Sequence, residues 1–186
     1  MALLRYSRAG RCAAVTAVLC LWSALMLSAQ APSAVEANLK AVFLFNFSKY
    51  VTWPPIAMGE RSPAELRVCV TASDGFFTVL KAAVQGEDIN GKPLQPVALR
   101  TLDEARTCQI LYVGDSQSAD GRAWLAAVRN SQVLTVADGP LSDDTVIAFV
   151  RDDNRIRFDI NRAAASRHGL NVSAKLLRLA RQVKDR

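Results

Sequence analysis

The sequence predicts an α/β fold in a single domain: a mostly parallel sheet flanked by helices, with a C-terminal antiparallel hairpin and two terminal helices. Between 66 and 136, short strand-like runs alternate with segments of helical character, the signature of parallel strands joined by helical crossovers. Within them, Gln109-Ile110-Leu111-Tyr112-Val113 is nearly unbroken in apolar side chains, as befits a strand covered on both faces. The alternation then stops. Two strand-like runs flank Asp152-Asp153-Asn154 with no room for a helix between them, which makes a hairpin.

The chain opens on Arg5, Arg8 and Arg11, has no acidic residue before Glu36, and runs through an apolar stretch at 12–27 to Ser28-Ala29-Gln30-Ala31. A basic start, an apolar middle and a small-x-small end form a secretion signal. Residues 1–31 are therefore read as a signal peptide cleaved near Ala29 or Ala31, and the periplasm as the destination. The apolar stretch is shorter than the roughly 20 residues that span a bilayer. A lipoprotein reading of Cys20 lacks the small residue expected beside such a cysteine, since Leu19 precedes it. About 155 residues then remain, enough for one domain with a real core; it is placed at 34–183.

In the first element, residues 34–49 set Val35, Leu39, Val42, Phe43 and Phe47 at spacings of three and four, with Glu36, Lys40 and Asn46 elsewhere. A helix docked through that apolar stripe is expected. Pro54 and Pro55 stop it, because proline lacks the amide hydrogen and restricts its predecessor. A polar connection at 58–63 leads to a strand at 66–71, and Asp74-Gly75 opens a helix over 76–84. Asn90-Gly91 is the strongest turn signal within 86–96, and strands are expected at 97–100 and 109–113. A helix over 120–130 places Trp124, Ala127 and Val128 on one side before a fourth strand at 133–136.

The hairpin arms are 146–150 and 155–160, and the second alternates Ile156, Phe158 and Ile160 against Arg155, Arg157 and Asp159. Asn161 is suited to cap a short helix ending at His168-Gly169. Ser173 is suited to cap a last one that directs Leu176, Leu177, Ala180 and Val183 inward.

The 23 basic and 17 acidic side chains give a charge of +6, three units of which belong to the leader arginines. So mild a surplus, with no basic stripe interleaved with aromatics, argues against a nucleic-acid partner. Catalytic patterns are missing too. There is no Gly-x-Ser-x-Gly elbow, phosphate-binding glycine loop or His-Glu-x-x-His helix. The single histidine, His168, falls at a helix end, where an imidazole interacts with terminal carbonyls. Asp152-Asp153-Asn154 lacks the glycine and distal glutamate of a calcium loop. No enzyme activity, cofactor or metal is expected.

Loss of the leader leaves Cys69 and Cys108, which in an oxidising compartment either pair or persist as buried thiols. Neither belongs to a Cys-x-x-Cys motif. Trp53 is a candidate contact residue because tryptophan supplies a large surface with one polar handle; the alternative is a core residue pinning the helix end beside Pro54. Lys175 and Arg178, with Arg181 and Lys184, form the outer face of the last helix. Such a face is either solvated or a partner contact.

Four segments then carry a family resemblance: Lys40-Ala41-Val42-Phe43-Leu44-Phe45-Asn46-Phe47 into Trp53-Pro54; Asn90-Gly91-Lys92-Pro93-Leu94; Leu134-Thr135-Val136-Ala137-Asp138-Gly139; and Arg155-Ile156-Arg157-Phe158-Asp159-Ile160-Asn161 with Gly169-Leu170-Asn171-Val172-Ser173-Ala174-Lys175-Leu176-Leu177. In this order and spacing they resemble the YfiR family of small exported bacterial proteins. The resemblance implies a periplasmic α/β domain, often dimeric, without known catalytic residues. It further implies a regulator that restrains a membrane-bound diguanylate cyclase by binding the cyclase's periplasmic sensor region, and that an outer-membrane lipoprotein sequesters in turn. Cys69 and Cys108 look like the positions of one family disulfide. A second, around the hairpin, has no counterpart, because 146–160 contains no cysteine, and Thr145 replaces the glycine usual there.

The expectation is a non-enzymatic repressor of cyclic-di-GMP signalling. The alternative is a periplasmic small-ligand-binding protein or sensor with its cleft at the strand ends of the sheet.

Overall fold

A computed structural model of the chain describes residues 34–54, 64–71, 74–153 and 155–185. The expected signal peptide, the polar connection at 58–63 and Asn154 of the hairpin turn lie outside them.

Helix α1 spans Ala34–Tyr50 and corrects the expected docking face. Lys40, Ala41, Leu44, Phe47 and Ser48 are buried, whereas Val35, Leu39 and Val42 are 77%, 39% and 48% exposed. Aromatic packing sets the helix rotation: the Phe47 ring meets Phe158 at 5.1 Å and Phe149 at 5.8 Å, and Phe43 stands 5.6 Å from Phe158. Two wide rings seated on the hairpin turn the smaller Val35–Leu39–Val42 stripe outward. From α1 the chain passes directly into β1 (Val51–Thr52), which pairs antiparallel with β9 (Asn171–Val172).

The main sheet is built from β2 (Leu66–Thr71), β3 (Asp88–Ile89), β4 (Lys92–Leu99), β5 (Ile110–Val113), β6 (Leu134–Asp138), β7 (Ile147–Asp152), β8 (Arg155–Asn161) and β10 (Gln182–Lys184). Their order across the sheet is β10-β8-β7-β6-β5-β2-β4-β3. All neighbours are parallel except the β3–β4 and β7–β8 pairs. Helices α2 (Asp74–Val84) and α3 (Ala119–Ala127) and a 3₁₀ turn (Leu102–Thr107) make the crossovers, and α4 (Arg162–Arg167) and α5 (Ala174–Leu179) follow the hairpin.

Strand alternation divides the core in two. Val68, Val70, Ile110, Tyr112, Leu134 and Val136 pack with Leu44 and Phe47 of α1 and Leu80 of α2. Cys69, Leu111, Val113 and Ala137 join Leu125 and Val128 beside α3 and Ala105 of the 3₁₀ turn. This is why the run through β5 reads as continuously apolar: each of its four residues is buried on one face or the other.

Several boundaries differ from expectation. Strand β4 begins at Lys92 rather than 97, because Asn90 (φ 56°) and Gly91 (φ 77°) form a two-residue hairpin turn joining it to β3. Pro96 is accommodated because β4 has no second neighbour beyond Pro93. Helix α3 is shorter than 120–130, with Leu125 and Val128 buried and Trp124 only partly so.

The last helix ends at Leu179, and Ala180 is extended (φ −64°, ψ 145°). The chain then forms β10 alongside β8, so that Val183 pairs with Ile160 instead of lying on a helical face. The open edge of β8 explains this, since its carbonyl groups find donors there: Arg181 N–H donates to Phe158 O at 2.8 Å. Asp159 is accordingly 4% exposed, not solvated. The two expected caps are present: Asn161 Oδ1 accepts from Ala164 N–H at 2.9 Å and Ser173 Oγ from Leu176 N–H at 3.2 Å. His168 closes α4, and Gly169 (φ 69°) supplies the left-handed residue after it. Among the described residues no helix is long and apolar enough to cross a membrane.

Candidate functional site

Strand β6 ends at Asp138, opposite Phe149, whereas β7 runs on to Asp152 in the hairpin. A groove of about 650 Å³ lies in that step. Glu36 and Lys40 reach it from α1, Asp138 to Leu141 from the end of β6, Phe149 to Arg151 from β7, and Asp159, Arg181 and Lys184 from the sheet edge.

Its inner wall is a charge network. Lys40 Nζ lies 2.7 Å from both Glu36 Oε1 and Asp138 Oδ2, and its side chain is only 5% exposed. Asp138 Oδ2 also accepts from Tyr112 Oη–H at 3.0 Å. Glu36 pairs in addition with Arg151. Burial raises the Glu36 carboxyl, but Lys40 and Arg151 more than offset it and hold the group below its ordinary value. At Asp138 burial wins: Lys40 and Tyr112 only partly offset it, and the carboxyl sits above its ordinary value. Burial, then the neighbouring Asp138, drives the Tyr112 hydroxyl far upward, so it remains a donor. Asp138 Oδ1, although buried, has no hydrogen-bond partner.

The outer wall is a second network. Arg181 grips Asp159 with two bonds, Nε to Oδ1 at 2.9 Å and Nη2 to Oδ2 at 2.5 Å. Lys184 Nζ stands 3.3 Å from Asp143 Oδ1. The arrangement can orient charged groups of a ligand or partner. It offers no paired nucleophile and base.

Lys40 is the residue that sequence reasoning missed, by placing it off the docking face. A signal was present nonetheless, because Lys40 and Asp138 stand in two of the four segments that carry the family resemblance. Their side chains meet across 98 positions.

The residues singled out in sequence lie elsewhere. Trp53 is 8% exposed, its Nε1 unpartnered, beside a second groove of about 390 Å³ shared with Lys49, Leu66 and Ile89. Lys175 is exposed with its Nζ 5.0 Å from the Tyr50 ring centroid, and Arg178 is exposed on α5. The β1–β9 ribbon links the Trp53 and Lys175 segments, but neither residue lines the charged groove. Cys69 and Cys108 are joined by a disulfide, with Cα atoms 6.0 Å apart and both residues buried beside α3. His168 is 2% exposed, and burial lowers its pKa, so the ring is neutral and structural.

The fold and groove define a small α/β domain with a mostly parallel sheet, a C-terminal hairpin and charge networks at the strand ends. The YfiR/HmsC-like family model matches residues 37–181, and the chain belongs to that family. The family is of the periplasmic, non-catalytic type and acts in cyclic-di-GMP signalling. Among solved structures, the chain is similar to the ABC domain in complex with L-Trp from Streptococcus pneumonia, at 13% identity and a TM-score of 0.46. That similarity covers 64% of this chain and 55% of the other, so the chain spans just over half the length of that structure.

Proposed function

We infer that the protein is a periplasmic repressor that binds the periplasmic sensor region of an inner-membrane diguanylate cyclase and holds it in its inactive state. Family membership over 37–181 carries this reading. The geometry of α1 supports action through protein contact. Its inner side is fixed by Phe43, Phe47 and the Lys40–Asp138 bond, while Val35, Leu39 and Val42 form an apolar stripe on the outside. A rigidly seated helix with an apolar outer stripe presents contact surface at little ordering cost. A repressor of this kind needs only different affinities for two receptor states; about 3 kcal/mol changes their ratio more than a hundredfold. An outer-membrane lipoprotein that sequesters the protein, and a homodimer, complete the scheme.

The test is direct binding between the purified protein and the isolated sensor region of each membrane-bound cyclase in the native host. A saturable complex with one of them, weakened at least about tenfold by Leu39→Asp together with Val42→Asp, is expected. No complex with any sensor region would overturn the proposal.

A further inference from the structure

We propose that the groove beyond β6 binds a small organic acid that carries a hydrogen-bond donor, an amino or hydroxyl group, on an aliphatic body. Its volume of about 650 Å³ lies within the range of small-molecule sites, and Leu141, Phe149, Val150 and Ile156 give it apolar lining. Asp138, in its wall, is one donor short. Oδ2 accepts from both Lys40 and Tyr112, while Oδ1 is buried and accepts from nothing. An unmet buried acceptor is costly, and a ligand N–H or O–H reached by a small rotation of the carboxyl would meet it.

The distribution of exposure supplies the second half of the specificity. Arg151 and Arg181 line the groove with side chains 61% and 38% exposed, whereas their partners Glu36 and Asp159 are 12% and 5% exposed. Lys184 adds a third cation, 39% exposed. In the Arg151–Glu36 and Arg181–Asp159 pairs the carboxylate is turned inward and the cation outward, whereas the Lys184 partner Asp143 is itself 87% exposed, so it is the two guanidinium groups that an approaching ligand meets first. The ligand's carboxylate thus faces Arg151, which stands with Phe149 and Asp138 on the α1 side of the sheet, its donor faces Asp138, and its aliphatic part lies on Phe149. Arg181 and Lys184, on the opposite side of β8, add only to the positive charge at the mouth. This site uses the groove and not the outer stripe of α1, so it does not depend on the repressor reading.

A matched set of four probes separates the requirements: L-leucine, L-2-hydroxy-4-methylpentanoate, 4-methylpentanoate and 3-methylbutylamine, each titrated calorimetrically into the purified protein. Leucine or the hydroxy acid is expected to bind saturably, and whichever binds better identifies the donor. The acid without a donor and the amine without a carboxylate are expected to bind at least about tenfold more weakly. Arg151→Gln, at an exposed position, should weaken the acids, and Asp138→Asn should erase the preference for a donor. Absence of binding by all four, equal binding of 4-methylpentanoate, or titrations unchanged by both substitutions would overturn the proposal. Because the readout is binding alone, its failure is distinct from failure to engage a cyclase.

Discussion

Lys40 of α1 and Asp138 at the end of β6 meet at 2.7 Å, a polar contact that adds to the packing of Leu44 and Phe47 in holding the first helix on the middle of the sheet. Removing one member leaves the other buried without its counter-charge, which costs roughly 3–5 kcal/mol at fully buried pairs. Asp138 is 28% exposed, so Lys40→Met should lose about 3 kcal/mol, near the lower end. Arg162 and Asp185 form a contrasting pair, 55% and 62% exposed, and Arg162→Met should cost less than about 1 kcal/mol. Urea denaturation of both variants checks the contrast. Equal losses would show that burial of Lys40 is not what makes its bond matter.

The two carboxylates beside Lys40 tilt stability in opposite directions with pH. Glu36 is held below its ordinary 4.5, so its contribution is present above that value and is lost as pH falls through the lowered one. Asp138 is raised above its ordinary 3.8, so its contribution is complete below that value and is lost as pH rises through the raised one. Glu36→Gln should therefore flatten the acid-side decline, and Asp138→Asn the decline on the other side. Denaturation midpoints between about pH 3 and pH 7 measure both effects. Curves parallel to that of the unsubstituted protein would refute the assignment.

At Gly121, in the first turn of α3, a Cβ would stand 1.8 Å from the Asp115 carbonyl oxygen. Backbone cannot yield cheaply at that distance, and Gly121→Ala should lose about 2 kcal/mol or more. Gly75 in α2 has nothing within 4 Å of the same added atom, so Gly75→Ala should be neutral or gain up to about 1 kcal/mol of helix propensity. Thermal melts of the two alanine variants should move in different directions or by clearly different amounts.

The Cys69–Cys108 bond closes a segment with a separation of 39 residues. In the chain-entropy model such a loop stabilises by up to roughly 4 kcal/mol. Replacing both cysteines by alanine should lower stability by about 2–4 kcal/mol while leaving far-UV circular dichroism unchanged, because the sheet is independently packed on its α1 side. A stability within experimental error of the parent would show that the bond constrains little.

Strand and helix order was legible in sequence because burial on both faces of a parallel sheet leaves unbroken apolar runs, as in β5. Non-local contacts were harder to read. Lys40 lies off the apolar stripe when α1 is considered alone, and only the approach of Asp138 from β6 makes its burial possible. The outward turn of Val35, Leu39 and Val42 follows from the Phe149 and Phe158 rings more than 100 positions away. Val183 shares the helical spacing of Leu176, Leu177 and Ala180, and the free edge of β8, invisible in local pattern, draws it into a strand. The groove is illegible in local pattern for the same reason, since its walls come from α1, β6, both arms of the hairpin and β10.

Cyclic-di-GMP in the native host, with the gene deleted and then restored, tests the central claim most directly. Deletion should raise the level, the intact gene should return it, and Leu39→Asp with Val42→Asp should fail to do so while accumulating as a folded protein. An unchanged cyclic-di-GMP level on deletion would contradict the repressor reading outright.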